Sequence, residues 1–199
     1  MSGFGFFSYL CAVKHSEIRG RIIETASELF YQNGYNSTGI NEIIAKSGIA
    51  KATLYSHFKS KEDICVAYLQ HKNAIFIKDI EAYTTSKPKG KDQVLALFDF
   101  LNEFFQDKEF NGCWCVKTVA EIPRENEKVR KEIQSQKRDL IQLIDHLIEA
   151  NLDPINEQKR CSLSKKTYLL YEGAIGESHL HQADWPIQEA KDICSQILN

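Results

Sequence analysis

The chain has 199 residues, of which 43% are hydrophobic and 26% charged, with 25 Lys+Arg against 27 Asp+Glu and a net charge of −2. That length is ample for a buried core in one or two domains, and the balance excludes a globally basic chain. Six cysteines spread over the whole length exclude a small disulfide-stapled scaffold and point to a reducing cytoplasm.

Charge is unevenly placed. The stretch from Lys14 to Lys61 carries net +3, whereas everything from Glu62 onward carries −5. A basic segment beside an acidic remainder suggests a local face for a polyanion. The first thirteen residues, MSGFGFFSYLCAV, are apolar and uncharged. With no positive charge ahead of the apolar run they do not make a secretory signal, and they read as an N-terminal extension, native or added, that packs on the body. No stretch reaches the ~20 apolar residues of a membrane helix, so no membrane partner is expected.

Apolar spacing is helical almost throughout. Ser16 is a good N-cap for a first helix with Ile18, Ile22, Ala26, Leu29 and Phe30 at three- and four-residue steps, ended by Gly34. A second, short helix covers about Gly39–Lys46, and Gly48 stops it. A third covers Lys51–Phe58. Ser60 caps a fourth that runs to about Thr84, with Glu62 and Asp63 at its positive end. The polar stretch TTSKPKGK is the best linker. Val94, Leu97, Phe98, Leu101, Phe104 and Phe105 stripe a fifth helix, broken at Asn111-Gly112. A sixth runs to about Ile122, and Pro123 suits the start of a seventh that ends at Asp153-Pro154. The eighth spans about Ser164–His181, and Pro186 opens a ninth. No β alternation or internal repeat appears. The predicted class is all-α with about nine helices.

Three short helices with tight turns from Ile22 to Leu69 make a helix-turn-helix plan. Ser47-Gly48-Ile49 is the turn. Ile49, Leu54 and Phe58 face inward, which leaves Lys51, Ala52, Thr53, Tyr55, Ser56 and His57 outward. The segment ETASELFYQNGYNSTGINEIIAKSGIAKATLYSHFKSKEDI resembles the N-terminal pattern of TetR (tetracycline-repressor-like) regulators. The match lies at Ala26/Leu29/Phe30, Gly34/Tyr35, Thr38, Ile44/Ala45, Gly48, Thr53/Leu54/Tyr55, His57/Phe58 and Lys61/Glu62, about a fifth of the chain.

That resemblance implies a homeodomain-like three-helix head, residues 14–62, and a ligand-binding and dimerisation domain, residues 63–199. It implies double-stranded DNA, a second copy of the chain and a small-molecule effector as partners. Thr38 would bind a phosphate through its hydroxyl with backbone N–H groups near Gly39. Lys51, Ala52 and Thr53 would meet base edges. Tyr55, His57 and Lys61 would contact the DNA backbone, Tyr55 alternatively a thymine methyl. Ala50 stands where the family usually has Ser or Thr, so a cap worth ~1 kcal/mol is missing. Ala52 replaces a common Gly. Beyond residue 91, Phe98, Leu101, Phe105, Trp114, Lys117 and Tyr171 would line a ligand pocket. GCWCVKTVAEI resembles the Gly-Cys start of the family's sixth helix and would place Trp114 and Lys117 near the junction with the head. Leu170, Ala174, Ile175, Trp185, Ile193 and Ile197 would form the dimer interface, with small residues easing close approach.

Other readings are weaker. The chain has no P-loop, no G-x-S-x-G and no H-E-x-x-H, so no enzyme is expected, and no cofactor. Cys113-x-Cys115 and His179-x-His181 are two apart and would point different ways on a helix, so no metal site is expected. A helical adaptor, or a thiol-redox sensor on the same scaffold, is the alternative.

Overall fold

The computed structural model describes the backbone of residues 3–198 and the side chains of residues 15–198. Among the described residues there are nine α-helices and no strand: α1 Gly3–Asn33, α2 Ile40–Ser47, α3 Lys51–His57, α4 Lys61–Thr85, α5 Lys91–Gln106, α6 Trp114–Glu121, α7 Glu127–Asn151, α8 Glu157–His181 and α9 Trp185–Ile197. The all-α reading holds. None of these helices is long and apolar enough to cross a membrane.

Several boundaries differ from expectation. α1 begins at Gly3, so Ser16 lies inside it and caps nothing. The expected packing of residues 1–13 on the body falls outside the described side chains. α7 is capped not at Pro123 but at Asn126, whose Oδ1 accepts from Val129 N–H at 3.2 Å. α8 starts at Glu157, a turn and more before Ser164, because Asn156 accepts from Lys159 N–H at 2.8 Å. The TTSKPKGK stretch is a tied turn rather than a free linker. Gln93 Nε2 donates to the Lys87 carbonyl at 3.0 Å, and Gly90 N–H donates to Asn151 Oδ1 at 2.9 Å.

The chain forms two compact units, one of residues up to Lys72 with Lys117–Glu132, the other of Asn73–Val116 with Ile133 onward. The first unit is the head. Ile22, Ala26, Leu29, Phe30, Ile43, Leu54, Phe58, Ile64 and Tyr68 fill its core. Gly48 ends α2 at φ +64°, a left-handed conformation that an L side chain rarely adopts, and its N–H donates to the Ala45 carbonyl. Ser60 Oγ accepts from Asp63 N–H at 3.1 Å, and Asp63 Oδ2 accepts from Lys59 N–H at 3.1 Å, a reciprocal cap at the start of α4. Glu121, at the end of α6, closes over the Gly34 turn. Its Oε2 accepts from Asn36 N–H at 2.6 Å, its carbonyl accepts from Asn36 Nδ2 at 2.9 Å, and a Cβ on Gly34 would collide with its carboxylate.

The second unit is a helical body. Its buried residues include Val94, Leu97, Phe98 and Leu101 of α5, Leu140 and Ile144 of α7, Tyr171 and Ile175 of α8, and Ile187 and Cys194 of α9, with α5, α8 and α9 packed on one another. Thr167 Oγ1 meets Cys194 Sγ at 3.6 Å between the last two helices.

Candidate nucleic-acid interface and ligand cavities

Within α3 a single residue, Leu54, is buried, and it is fully so. The other side chains of that helix are therefore free to turn outward. Lys51, Ala52 and Ser56 are exposed, Tyr55 is 44% exposed, and Thr53 is half-buried. Seven of the eight expected DNA-facing residues are thus presented to solvent wholly or in part: Gly39, Lys51, Ala52 and Tyr55 are exposed, and Thr53, His57 and Lys61 are half-buried. Ala50 is the N-cap of α3 and makes no side-chain cap, as its methyl requires. At α2, Gly39 N–H donates to Glu42 Oε2 at 3.4 Å, the half of a capping box that a glycine allows.

Three of the eight, Thr38, His57 and Lys61, also make contacts within the head. Thr38 is fully buried, and its hydroxyl lies 2.8 Å from the Gly34 carbonyl and 3.2 Å from that of Leu29. The expected phosphate contact of this hydroxyl is corrected: its proton serves the turn that precedes α2. Thr38→Val is therefore expected to cost ~1–3 kcal/mol of head stability by stranding buried carbonyls. Urea unfolding measures it, and operator affinity of the folded fraction stays the same. Lost affinity without lost stability would restore the phosphate role.

His57 is half-buried rather than free. Its ring stacks on His15 with centroids 3.9 Å apart, and its Nδ1 is buried without a partner. Burial, then the neighbouring His15 and Arg19, hold its pKa below the ordinary histidine value. Lys61 sits with Nζ 4.3 Å from the Tyr35 ring centroid, and burial lowers its pKa.

The expected ligand-pocket residues divide. Trp114 and Tyr171 line a small cavity of about 20 Å³, together with Phe76, Cys113, Cys115, Gln136 and Lys137. That is room for about one water. Phe98 and Leu101 are instead fully buried core, and Phe105 packs edge-on against Phe110 at 5.3 Å between centroids. Lys117 is assigned to the head unit, where its ammonium donates to the Tyr31 carbonyl at 2.8 Å. A larger cleft of about 410 Å³, unforeseen from the sequence, lies among α4, α5 and α7. Ile77, Leu143 and Leu147 give it an apolar wall, and Glu81, Gln142 and His146 a polar one.

Of the expected interface residues, Trp185 and Ile193 are exposed, and Leu170 and Ile197 are half-buried. Ala174 and Ile175 are corrected: both are buried within the subunit's own core. The exposed apolar positions of α8 are Leu169 and Leu180, 66% and 71% exposed. Gly173 and Gly176 lie between them at four- and three-residue steps, exposed, with nothing within 4 Å of an added Cβ. The spacing 169, 173, 176, 180 is one helical stripe.

Known proteins match this arrangement. The family model of bacterial regulatory proteins of the tetR family matches residues 22–68. The HTH-type transcriptional repressor NemR of Escherichia coli is 29% identical over 140 residues, covering 68% of this chain and 70% of that protein. The fatty acid metabolism regulator protein of Bacillus subtilis is 27% identical over 128 residues, 64% of each chain. Among solved structures, the reduced form of Escherichia coli NemR superposes with a TM-score of 0.79 at 24% identity, over 92% of this chain and 97% of that one. A TetR-family transcriptional regulator of Streptomyces coelicolor superposes at 0.81 and 25%, over 92% and 95%. With a family model centred on a head whose third helix stands outward on one buried leucine, residues 22–68 are a helix-turn-helix head of the kind found in bacterial regulatory proteins of the tetR family.

Proposed function

We propose that the chain is a cytoplasmic repressor that binds a palindromic operator as a homodimer and leaves it when a small effector binds the body. The observation that carries this reading is α3. It is a seven-residue helix pinned by Leu54, with Lys51, Ala52 and Tyr55 on the solvent side. In a helix-turn-helix the second helix enters the major groove, and two copies in a dimer stand ~34–36 Å apart, one turn of DNA. The α8 stripe of Leu169, Gly173, Gly176 and Leu180, with Trp185 and Ile193 of α9, supplies an apolar face for the second copy. The repressor relative supports the direction of regulation. The 410 Å³ cleft is of ligand size. Its occupant acts only so far as it prefers the conformation that does not fit DNA.

Fluorescence anisotropy on DNA from the chain's own promoter tests the interface. Lys51→Ala and Tyr55→Ala are each expected to weaken binding by ~1–3 kcal/mol with the fold intact. Affinity falls steeply with salt, and Lys51→Ala lowers the salt slope by about one. Full affinity in both variants, or a flat salt response, would remove α3 from the DNA interface.

A further inference from the structure

The body holds one cluster that neither DNA binding nor packing explains. Cys113 precedes the first residue of α6 and Cys115 is its second, so the two are not both on a regular helix. The argument that residues two apart point different ways fails here. Both thiols are buried and free, and the Cys115 S–H is shared between the Cys113 sulfur and Gln136 Oε1, the latter at 3.4 Å. Lys137 Nζ lies 3.2 Å from Cys113 Sγ and 2.6 Å from Glu172 Oε1. The Tyr171 hydroxyl, fully buried and without a partner, lines the same cavity as all four. The side chains of Lys137 and Glu172 are 21% and 17% exposed, so the cluster reaches solvent through them.

A structural role would not need this composition. A cysteine used as a small apolar residue has no use for an ammonium at 3.2 Å, and the lysine carries a desolvation cost that one carboxylate already offsets. A metal ion is disfavoured by the same ammonium, and no group of three or more His, Cys, Asp and Glu side chains among the described residues could hold one. An adjacent cation is what stabilises a thiolate. The hydrogen bond from Cys115, then the charge of Lys137, hold the Cys113 thiol below its ordinary pKa despite burial, and Cys115 is correspondingly held up as the protonated partner.

From this juxtaposition we infer that Cys113 and Cys115 are a hydroperoxide-responsive dithiol, with Cys113 the attacking sulfur, Cys115 the resolving one and Lys137 the proton donor to the leaving oxygen. The inference rests on the regulator reading and supplies a chemical class of effector for it. Cys113 thiolate attacks one peroxide oxygen. The S–O bond forms, the O–O bond breaks, and the departing alkoxide or hydroxide takes a proton from the Lys137 ammonium, which solvent replaces. Cys115 then attacks the sulfenic sulfur. The S–S bond forms, the S–O bond breaks, and hydroxide leaves as water with the Cys115 proton. The dithiol loses two electrons and the peroxide gains them. A disulfide needs Cα atoms about 4.4–6.8 Å apart, which residues two apart in a first helical turn satisfy. The same eight-residue helix carries Lys117 at its middle, donating to the Tyr31 carbonyl, and Glu121 at its end, accepting from Asn36 N–H. Closing the dithiol re-forms the first turn of that helix, and the head's operator affinity falls.

The test uses the full chain, its promoter DNA, and hydrogen peroxide or cumene hydroperoxide as probes. The reduced protein is expected to bind. One equivalent of peroxide should join Cys113 to Cys115 by peptide mass mapping and weaken DNA binding about tenfold or more, with dithiothreitol restoring it. Cys115→Ser should stop at a sulfenic acid trapped by a 1,3-diketone, while Cys161→Ser, on an exposed thiol, behaves as the parent. Lys137→Gln should shift the pH profile of the peroxide reaction upward. Reduced protein that binds DNA but keeps both thiols titratable under peroxide overturns the inference. So does a joined pair with unchanged affinity. Reduced protein that fails to bind DNA overturns the regulator reading instead, and the mapping still decides the thiol chemistry.

Discussion

Leu54→Ala is expected to abolish operator binding. α3 has seven residues, too few to be stable alone, no side-chain cap at Ala50, and Leu54 as its buried anchor. Truncating a fully buried leucine costs ~2–5 kcal/mol, and here most of that falls on one short helix. Only the fraction of molecules with α3 formed can bind, so a loss of about 3 kcal/mol lowers affinity by more than a hundredfold. Phe58 and Ile64, also buried, retain the rest of the head core. Circular dichroism should therefore show a small helical loss beside the collapse in anisotropy. Affinity within tenfold of the parent would mean that the helix is held by something other than Leu54.

The second large effect concerns the body. Leu169→Asp combined with Leu180→Asp is expected to turn the proposed dimer into a monomer in sedimentation equilibrium. Both side chains are about two-thirds exposed or more, so the substitutions leave the subunit core untouched. A stable interface buries ~1,200–2,000 Å², and two carboxylates at the centre of such an area carry a desolvation cost with no partner. Operator affinity should fall steeply, since a lone head reaches one half-site. An unchanged dimer mass would move the interface off α8.

Much of this architecture was readable from residue order. Apolar steps of three and four marked most of the helices, and turn residues such as Gly34, Gly48 and Asn111-Gly112 marked the breaks. What stayed hidden depended on contacts far apart in sequence. Thr38 matches a motif, but a threonine can turn its hydroxyl to solvent or to a carbonyl, and here Gly34 and Leu29 hold it. Trp114 and Tyr171 border the small cavity whereas Phe98 does not, because α7 and α8 decide which aromatic ring meets a gap. Ala174 looked like an interface residue for its size, yet it lies one position from Gly173, and one position on a helix is a turn of about 100°. Cys113 and Cys115 were judged by helical geometry, and α6 begins between them.

The two empty places beside Gly173 and Gly176 reach past this one molecule. A bacterium with several regulators of this build must keep each from mating with a cousin. In the proposed dimer, two positions without side chains would admit a closely approaching helix, and a chain with leucines at the matching places would be turned away. Exchanging those two glycines for larger residues is thus a route by which a duplicated copy could separate its circuit from the parent's before its operator preference had changed at all.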